Sequence, residues 1–155
     1  ALFLIYNIPK AKIFLGDGGS FFLGTLISLI IIVSYNQSNE ISPFYFAILI
    51  FYLFFEIFFS VFRKILQRKN PFYPDRMHLH MLIYKYLKLS NKKIKNHNFM
   101  TSLIINVFYS ILIAPSFFFY QNNFFCKIYF TILILLYLIV YYFLNRIIKT
   151  YETKN

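Results

Sequence analysis

Two short polar stretches hold the residues of this sequence that could do chemistry. In the first, the run Gly16–Ser20 (GDGGS), the carboxylate of Asp17 is flanked by glycine on both sides. Glycine lets the backbone approach a ligand closely, and a carboxylate there can hold Mg²⁺, which prefers oxygen ligands and often shares them with phosphate. We therefore predict that Asp17 is a metal ligand and that Gly18 contacts substrate. The alternative is that the run is only a turn, in which Asp17 is the N-cap of a helix.

The second stretch is a basic segment in which Arg76, His78 and His80 occupy alternate positions directly after Asp75. Arginine matches the geometry of phosphate oxygens, and histidine can donate to phosphate, bind metal or move protons. The spacing predicts a phosphate-binding site, with Asp75 orienting Arg76 or a histidine. Two alternatives stay open. The histidines could be a transition-metal pair, although no cysteine or carboxylate cluster completes a tetrahedral site, or the segment could be a solvated basic loop that only sets membrane topology.

The composition indicates which kind of protein must position these residues. Hydrophobic residues make up 59% of the chain and charged residues 14%, whereas soluble domains have about 45–50% and about 25%. Apolar runs of about twenty residues recur, which is the length that a helix needs to cross a membrane. We therefore predict an all-α, polytopic integral membrane bundle. Although the formal net charge is +11, the basic clusters flank the apolar runs, so we expect them to face anionic lipid and expect no nucleic-acid partner.

Polar turns between the apolar runs divide residues 1–155, a single membrane domain, into four full spans preceded by the end of another helix. Glu56, deep inside a span, is predicted to be a buried structural carboxylate rather than a catalytic one. Apolar residues at helical spacing predict an amphipathic helix over Met77–Leu89, which could lie on the membrane surface. The tyrosines are expected mostly at membrane interfaces and in packing. The other predicted elements are the helix end Ala1–Tyr6, the spans Ile13–Tyr35, Ile41–Phe62, Phe99–Tyr120 (kinked at Pro115) and Phe124–Asn145, and the polar tail Arg146–Asn155.

The distribution of lysine and arginine sets the orientation of these spans. With the connection Asn7–Lys12 in the cytoplasm, the basic loop Arg63–Asn98 and the tail are also cytoplasmic, and 15 of the 16 basic residues lie on that side. The positive-inside rule selects this arrangement. Because it places Asp17 and the two loop histidines at the same membrane face, the two polar motifs can form one site.

Taken together, the two motifs resemble those of the polyprenyl-phosphate N-acetylhexosamine-1-phosphate transferases. The resemblance runs from Asn7 through GDGGS to Gly24, resumes at Arg63, and continues through Pro71–His80 (PFYPDRMHLH), with one membrane span between the motifs as in the family. The run Pro-Asp-Arg-x-His-x-His is closer to the N-acetylglucosamine branch than to the muramoyl-pentapeptide branch. The last two predicted spans match the family only in hydrophobicity.

The resemblance implies a reaction and a set of site residues. The reaction transfers an N-acetylhexosamine 1-phosphate from a UDP-N-acetylhexosamine to undecaprenyl phosphate and releases UMP. It takes place at the cytoplasmic face of the bacterial inner (plasma) membrane and starts a cell-envelope glycan, such as a lipopolysaccharide or a cell-wall polymer. By resemblance, Asp17 is the catalytic aspartate and the Mg²⁺ ligand, Asn7 lies near the nucleotide and the metal, and Arg76, His78 and His80 bind the pyrophosphate.

Two features depart from the family pattern. Met81 stands where the family loop usually has a further histidine, and the chain contains no Asp-Asp pair, which the family carries on an upstream cytoplasmic loop. The chain therefore looks like the C-terminal portion of a larger protein, incomplete for catalysis alone, and we expect an N-terminal half or a second copy as partner. The alternative from another class is a non-catalytic membrane relic or scaffold subunit. A small transporter is disfavoured, because Glu56 is the one acidic residue deep in a span and no pair of half-helices is evident.

Overall fold

The structure is a computed structural model, which describes residues 2–9, 12–38, 40–90 and 94–154. All regular secondary structure in these ranges is helical, so the prediction of an all-α chain is confirmed. A short 3₁₀ segment, Ala114–Phe118, continues the sixth α-helix. The α-helices are α1 (Leu2–Asn7), α2 (Gly16–Gln37), α3 (Pro43–Leu49), α4 (Phe51–Leu66), α5 (Leu79–Ser90), α6 (His97–Ile113) and α7 (Asn123–Lys154).

Three helical segments in the described chain are long and apolar enough to cross a membrane. They are α2, α6 with its 3₁₀ continuation, and α7, and they confirm three of the predicted spans. A change to 3₁₀ geometry from Ala114 takes the place of the kink predicted at Pro115. The predicted polar tail Arg146–Asn155 continues the helix of the last span, since α7 extends to Lys154, and Asn155 lies outside the described residues. At 1.5 Å per residue α7 is about 48 Å long, which exceeds the hydrocarbon core of about 30 Å.

The second predicted span, Ile41–Phe62, is wrong as a single continuous helix. It consists of α3 and α4, which meet at Ile50 and are bent by 80° relative to each other. The second half also runs beyond the predicted end, to Leu66. The bent pair counts as a fourth membrane span when its two halves are taken together.

The hydroxyl of Tyr109, from α6, stabilises the break at Ile50. It shares its proton between the carbonyl oxygens of Ile48 (2.8 Å) and Leu49 (2.9 Å), and it accepts a hydrogen bond from the N–H of Tyr52 at 3.4 Å. A helix break leaves backbone groups without partners, which is costly in hydrocarbon, and one side chain here satisfies three of them. Neither glycine nor proline marks this position, so the hydrophobic pattern alone predicts a continuous span.

Hydrogen bonds between connecting segments define two ends of the bundle. At the turn end, which comprises residues 40–43 and 114–123, the Ser42 N–H donates to the Tyr120 carbonyl at 2.9 Å and the Ser42 hydroxyl donates to Asn123 Oδ1 at 2.8 Å. At the loop end, which comprises residues 7–9, 12–15, 67–78 and 94–97, Asn96 Nδ2 donates to the Pro9 carbonyl at 2.8 Å. These bonds agree with the predicted alternation of the connections between two membrane faces. The predicted cytoplasmic residues Lys10, Lys92 and Lys93 lie outside the described residues.

The core of the bundle is a buried stripe along α7, against which α3 and α5 pack. The helix α5 confirms the amphipathic helix predicted over Met77–Leu89. Because its Leu79 and Leu82 are buried and it packs against α6 and α7, protein covers this apolar face where a membrane surface was expected. No residue of α2 is buried by the described part of the chain. The stripe on α7 consists of Cys126, Leu133, Tyr137, Tyr141 and Ile148.

Candidate active site at the loop end

The loop between α4 and α5 is tied to the bundle by a buried ion pair. Arg63 Nη2, in the last turn of α4, lies 2.6 Å from Asp75 Oδ2, and the two side chains are only 10% and 19% exposed. Arg63 also donates to the hydroxyls of Ser60 at 3.3 Å and Tyr141 at 2.9 Å. Because a buried charge is costly without partners, these contacts fix the point at which the loop returns to the helices.

Lys64 holds the proline-containing turn of the same loop. Its Nζ donates to the carbonyl oxygens of Pro71 at 2.9 Å and Tyr73 at 2.6 Å, and it lies 3.8 Å from Asp75 Oδ2. Arg63 and Lys64 are both buried at the C-terminal end of α4, where the helix dipole favours cations. In the sequence Arg63 and Lys64 are the first two residues of a basic stretch. The sequence feature that could have indicated their burial is their position directly after a long apolar segment.

Asp75 orders the loop, but not in the predicted way. The prediction that it orients Arg76 or a histidine is wrong, because its carboxylate pairs with Arg63 and accepts a hydrogen bond from the Met77 N–H. Arg76 is exposed and bonds to no residue that the structure describes. Burial by itself would raise the pKa of Asp75, but the Met77 N–H and the neighbouring cations outweigh burial and lower the pKa below its ordinary 3.8. Asp75 is therefore an ionised clamp at neutral pH.

Glu56 anchors the next part of the loop from inside the bundle. It is 8% exposed, and its Oε1 accepts from the Leu79 N–H at 2.7 Å and lies 3.0 Å from His78 Nδ1. Its Oε2 accepts from the Tyr137 hydroxyl at 2.8 Å. The Leu79 N–H belongs to the first turn of α5, where backbone donors have no acceptor within the helix. The prediction that Glu56 is buried and hydrogen-bonded is confirmed, and its structural rather than catalytic role stays a prediction.

Two tyrosines of α7 complete this network, and the sequence pattern does not single them out. Tyr137 donates to Glu56, while Tyr141 donates to the Met77 carbonyl at 3.0 Å and accepts from Arg63. Although the tyrosines are expected mostly at membrane interfaces and in packing, these two are 4% and 1% exposed and hydrogen-bonded. Their spacing of four residues puts both hydroxyls on one helix face. This spacing indicates a polar network only once the fold shows that the face packs against the polar residues of α4.

The network supports three predicted substrate-binding residues, Arg76, His78 and His80. The two histidine rings are stacked, with centroids 5.5 Å apart and an interplanar angle of 15°. Partial removal of water around His80 lowers its pKa below the ordinary 6.5; Glu56 opposes this shift and His78 adds to it. Since His80 is then neutral near pH 7, the exposed guanidinium of Arg76 is the permanent positive charge of the group. Such a set of donors can bind phosphate oxygens.

Asp17 occupies the second position of α2, in an exposed first turn. The helix begins at Gly16, whose φ of +70° favours glycine, and no side chain caps it. The alternative that Asp17 is the helix N-cap is therefore wrong, although its negative charge suits the N-terminal end of the helix dipole. At Gly18 the space that a Cβ would occupy is open, which is compatible with the predicted close approach of a ligand.

The described residues do not by themselves form a complete magnesium site. Within the described ranges, no three His, Cys, Asp or Glu side chains lie close enough together to share a metal ion. Asp17 offers one carboxylate that bonds to no described residue, and Mg²⁺ is often held by one or two carboxylates together with waters and substrate phosphates. Asp17 therefore fits as one ligand of such an ion.

Asn7, predicted to lie near the nucleotide, shapes the connection that leads to Asp17. Its Oδ1 accepts from the N–H groups of Lys12 at 2.8 Å and Ile13 at 3.0 Å, and its Nδ2 donates to the Ile13 carbonyl at 3.0 Å. These three bonds use both ends of the side-chain amide. Asn7 thus organises the backbone before α2, and its contact with substrate stays a prediction.

The two motifs lie at the same end of the bundle. Asn96, at the end of the basic loop, bonds to Pro9 in the connection that precedes α2. In the described chain, however, no hydrogen bond or ion pair joins Asp17 to the loop residues. That both motifs form one site therefore stays a prediction.

A cleft of about 640 Å³ lies beside this network, between α4 and α7. Phe55, Phe59 and Leu138 contribute to its mainly apolar lining, and Arg63 and Asn145 are among its few polar residues. A mostly apolar pocket with a few polar groups is the usual form of a small-molecule site. This cleft has the composition to hold an amphiphile with a hydrocarbon chain.

Comparison with known proteins identifies several related sequences. The family model described as Glycosyl transferase family 4 matches residues 1–35. An undecaprenyl-phosphate alpha-N-acetylglucosaminyl 1-phosphate transferase of Thermotoga maritima is 40% identical over 78 residues, which are 50% of this chain and 25% of that protein. A probable undecaprenyl-phosphate N-acetylglucosaminyl 1-phosphate transferase of Bacillus subtilis is 37% identical over 79 residues, 50% of this chain and 22% of that protein.

A more distant relative has the same kind of name. A decaprenyl-phosphate N-acetylglucosaminephosphotransferase of Mycobacterium leprae is 27% identical over 90 residues, 50% of this chain and 23% of that protein. The chain thus spans about a quarter of the length of these curated relatives. No solved structure matches it significantly. The predicted resemblance to the polyprenyl-phosphate N-acetylhexosamine-1-phosphate transferases is confirmed by the family model and by several curated transferases, over about half of the chain.

Proposed function

We propose that this chain is part of an enzyme that transfers an N-acetylhexosamine 1-phosphate from a UDP-sugar to undecaprenyl phosphate and releases UMP. The observation that carries the proposal is the loop that displays Arg76, His78 and His80 on a buried, hydrogen-bonded support. The names of the related proteins support both the lipid phosphate acceptor and the sugar-phosphate donor. With the positive-inside orientation, the site faces the cytoplasm at the bacterial inner membrane.

The chemistry requires positioning and charge neutralisation more than covalent catalysis. An oxygen of the lipid phosphate attacks the phosphorus that carries the sugar, and the bond from that phosphorus to UMP breaks. Arg76 neutralises the pyrophosphate, and the ring nitrogens of His78 and His80 bind its oxygens. Mg²⁺, when bound, supplies further neutralisation of phosphate charge, and Asp17 is one of its ligands.

The acceptor side of the proposal is supported by the cleft between α4 and α7. Its aromatic and aliphatic lining suits a polyprenyl chain, and Arg63 at its polar part is close to the loop that binds phosphate. Lys64 adds a second cation to this cluster, so two basic side chains face one carboxylate, that of Asp75. The excess of positive charge is compatible with an anionic headgroup nearby.

A second candidate is a non-catalytic membrane scaffold. It is favoured by the absence, among the described residues, of three His, Cys, Asp or Glu side chains that could share a metal ion. It does not explain why the loop that carries Arg76, His78 and His80 is fixed by two separate carboxylates, the buried Glu56 and the partly buried Asp75. We therefore prefer the transferase.

The test is UMP release by membranes that contain the native full-length protein, supplied with UDP-N-acetylglucosamine, undecaprenyl phosphate and Mg²⁺. We expect release that depends on both substrates and stops when EDTA removes the metal. Asp17→Asn keeps the size of the side chain but removes its charge, and we expect it to lower turnover by about 100-fold or more.

The matched control is Glu40→Gln, which alters an acidic residue at the turn end whose Oε2 accepts from Gln121 at 2.9 Å. Its turnover should equal that of the unmodified protein. Failure to detect UMP with all components present, or normal turnover in Asp17→Asn, would contradict the proposal and favour the scaffold.

A further inference from the structure

We infer that Glu56 is a positioning residue that acts on the proposed reaction through His78. The inference rests on the proposed function and extends it to a side chain inside the bundle. Glu56 is 8% exposed and lies on α4, two helical turns before Arg63. It does not bind substrate in this proposal; it determines how His78 meets substrate.

The contacts of Glu56 fix the ring of His78 and the backbone beside it at the same point. One oxygen, Oε1, lies 3.0 Å from His78 Nδ1 and 2.7 Å from the Leu79 nitrogen. The other oxygen accepts from the Tyr137 hydroxyl at 2.8 Å, which restrains rotation of the carboxylate. A single side chain therefore joins α4, the start of α5 and α7 around the imidazole.

This arrangement selects the ring nitrogen of His78 that faces substrate. Glu56 already accepts hydrogen bonds from Leu79 and Tyr137, and in the same role it accepts from a protonated Nδ1. Nε2 is then the nitrogen that faces substrate: it can accept a proton in transit, and once it carries that proton it can donate to a phosphate oxygen. At metal sites a carboxylate behind a histidine has the same effect, and its loss typically lowers affinity or activity by about 10–100-fold.

No second restraint of this kind acts on the ring. Among the described residues, Glu56 is the side chain that hydrogen-bonds to the His78 imidazole, and the neighbouring ring of His80 only stacks on it. Asp75 and Tyr141 hold the backbone one residue earlier, at the Met77 N–H and carbonyl. Removing Glu56 also removes the acceptor of the Leu79 N–H, but the two contacts at Met77 continue to hold the loop backbone while the ring loses its orientation.

The test is a double-mutant cycle on UMP release by the native full-length protein, with kcat and KM measured for Glu56→Ala, His78→Ala and the two combined. We expect Glu56→Ala to lower kcat by about 10–100-fold, and the double variant to be no worse than His78→Ala alone, since coupled residues are not additive. Glu56→Gln keeps an acceptor for Nδ1 and should restore most of the turnover. Glu40→Ala, at the turn end, is the matched control and should behave as the unmodified protein.

A second readout does not depend on turnover. Nitrogen-15 NMR of the histidine-labelled protein reports which ring nitrogen carries the proton. We expect His78 to be protonated at Nδ1 in the unmodified protein and in Glu56→Gln, and to shift toward Nε2–H in Glu56→Ala. An Nε2–H tautomer in the unmodified protein overturns the inference, and this result is decisive even where Glu56→Ala gives too little folded protein for kinetics.

The outcomes separate this inference from the proposed function on which it rests. Reduced turnover in His78→Ala with normal turnover in Glu56→Ala, or losses that multiply in the double variant, overturns the inference and leaves the transferase standing. Normal turnover in His78→Ala contradicts the role of His78 in the proposed function and removes the catalytic meaning of Glu56 with it.

Discussion

Replacing Asp75 by asparagine isolates the charge that fixes the loop. The variant keeps the size of the side chain and an oxygen acceptor for the Met77 N–H, but it leaves Arg63 and Lys64 without their carboxylate. Both basic side chains are only 10% exposed, so water cannot replace the lost partner unless the loop opens. We therefore expect opening of the loop rather than unfolding of the helices.

The magnitude follows from the burial of the pair. Removing one partner of a buried ion pair costs about 3–5 kcal/mol. Because Asp75 is itself 19% exposed, we place the cost of Asp75→Asn at the lower end of that range, about 3 kcal/mol. At about 1.4 kcal/mol per tenfold change, the population of the open loop rises by about 100-fold.

The assay is hydrogen exchange followed by mass spectrometry on the native protein in lipid nanodiscs, with attention to the amides of residues 70–79. The control is Glu152→Gln, which breaks the pair between Lys85 and Glu152, whose side chains are 46% and 50% exposed. Exposed pairs contribute about 0–1 kcal/mol, so the control should change exchange little. Equal exchange of residues 70–79 in the two variants would refute the reasoning that the Arg63–Asp75 pair holds the loop.

Three further predictions concern other supports of the fold. Tyr109→Phe removes the hydroxyl that bonds to the backbone groups at the helix break, so we expect the free energy of unfolding, measured by thermal unfolding, to fall by about 1–3 kcal/mol. The control Tyr35→Phe, on the exposed α2, should leave it unchanged. Equal transitions in the two variants would show that the hydroxyl does not stabilise the break. Because the pKa of Asp75 is lowered in the fold, its contribution to stability is complete above pH 3.8 and is lost as the pH falls through the lower folded pKa. A pH series of unfolding temperatures should show this loss in the unmodified protein and not in Asp75→Asn. The same acid loss in Asp75→Asn would assign the effect to other groups. Asn7→Ala removes the acceptor for the N–H groups of Lys12 and Ile13, so hydrogen exchange of these two amides should increase while α2 stays protected. Unaltered exchange would show that the Asn7 side chain does not organise this connection.

The membrane class and three of the spans could be predicted because they depend on the length and period of apolar runs, which are local properties of the sequence. The break at Ile50 could not, since its stabilising hydroxyl belongs to Tyr109 on another helix. The contact made by the polar tail of α7 could not be predicted for a related reason. Its charged residues are typical of a solvated end, whereas Glu152 there forms an ion pair with Lys85 of α5.

The candidate site likewise has residues that the sequence predicts and residues that only the fold reveals. Asp17, Arg76, His78 and His80 could be singled out because each stands in a short motif of chemically competent residues. The support of these residues could not. Glu56 stands out as an acidic residue inside a span, but its partner Tyr137 is 81 positions away and has an unremarkable sequence context. Buried polar networks are properties of the packed helices, and only the fold shows which acceptor each donor meets.

The central claim is that Asp17 and the histidine loop bind one donor nucleotide together. The most direct measurement is hydrogen exchange of the native full-length protein in nanodiscs, with and without UDP-N-acetylglucosamine. We predict that the amides of residues 14–20 and of residues 76–80 become protected together, at the same donor concentration. Protection of only one of these segments, or of neither at saturating donor, would contradict the claim.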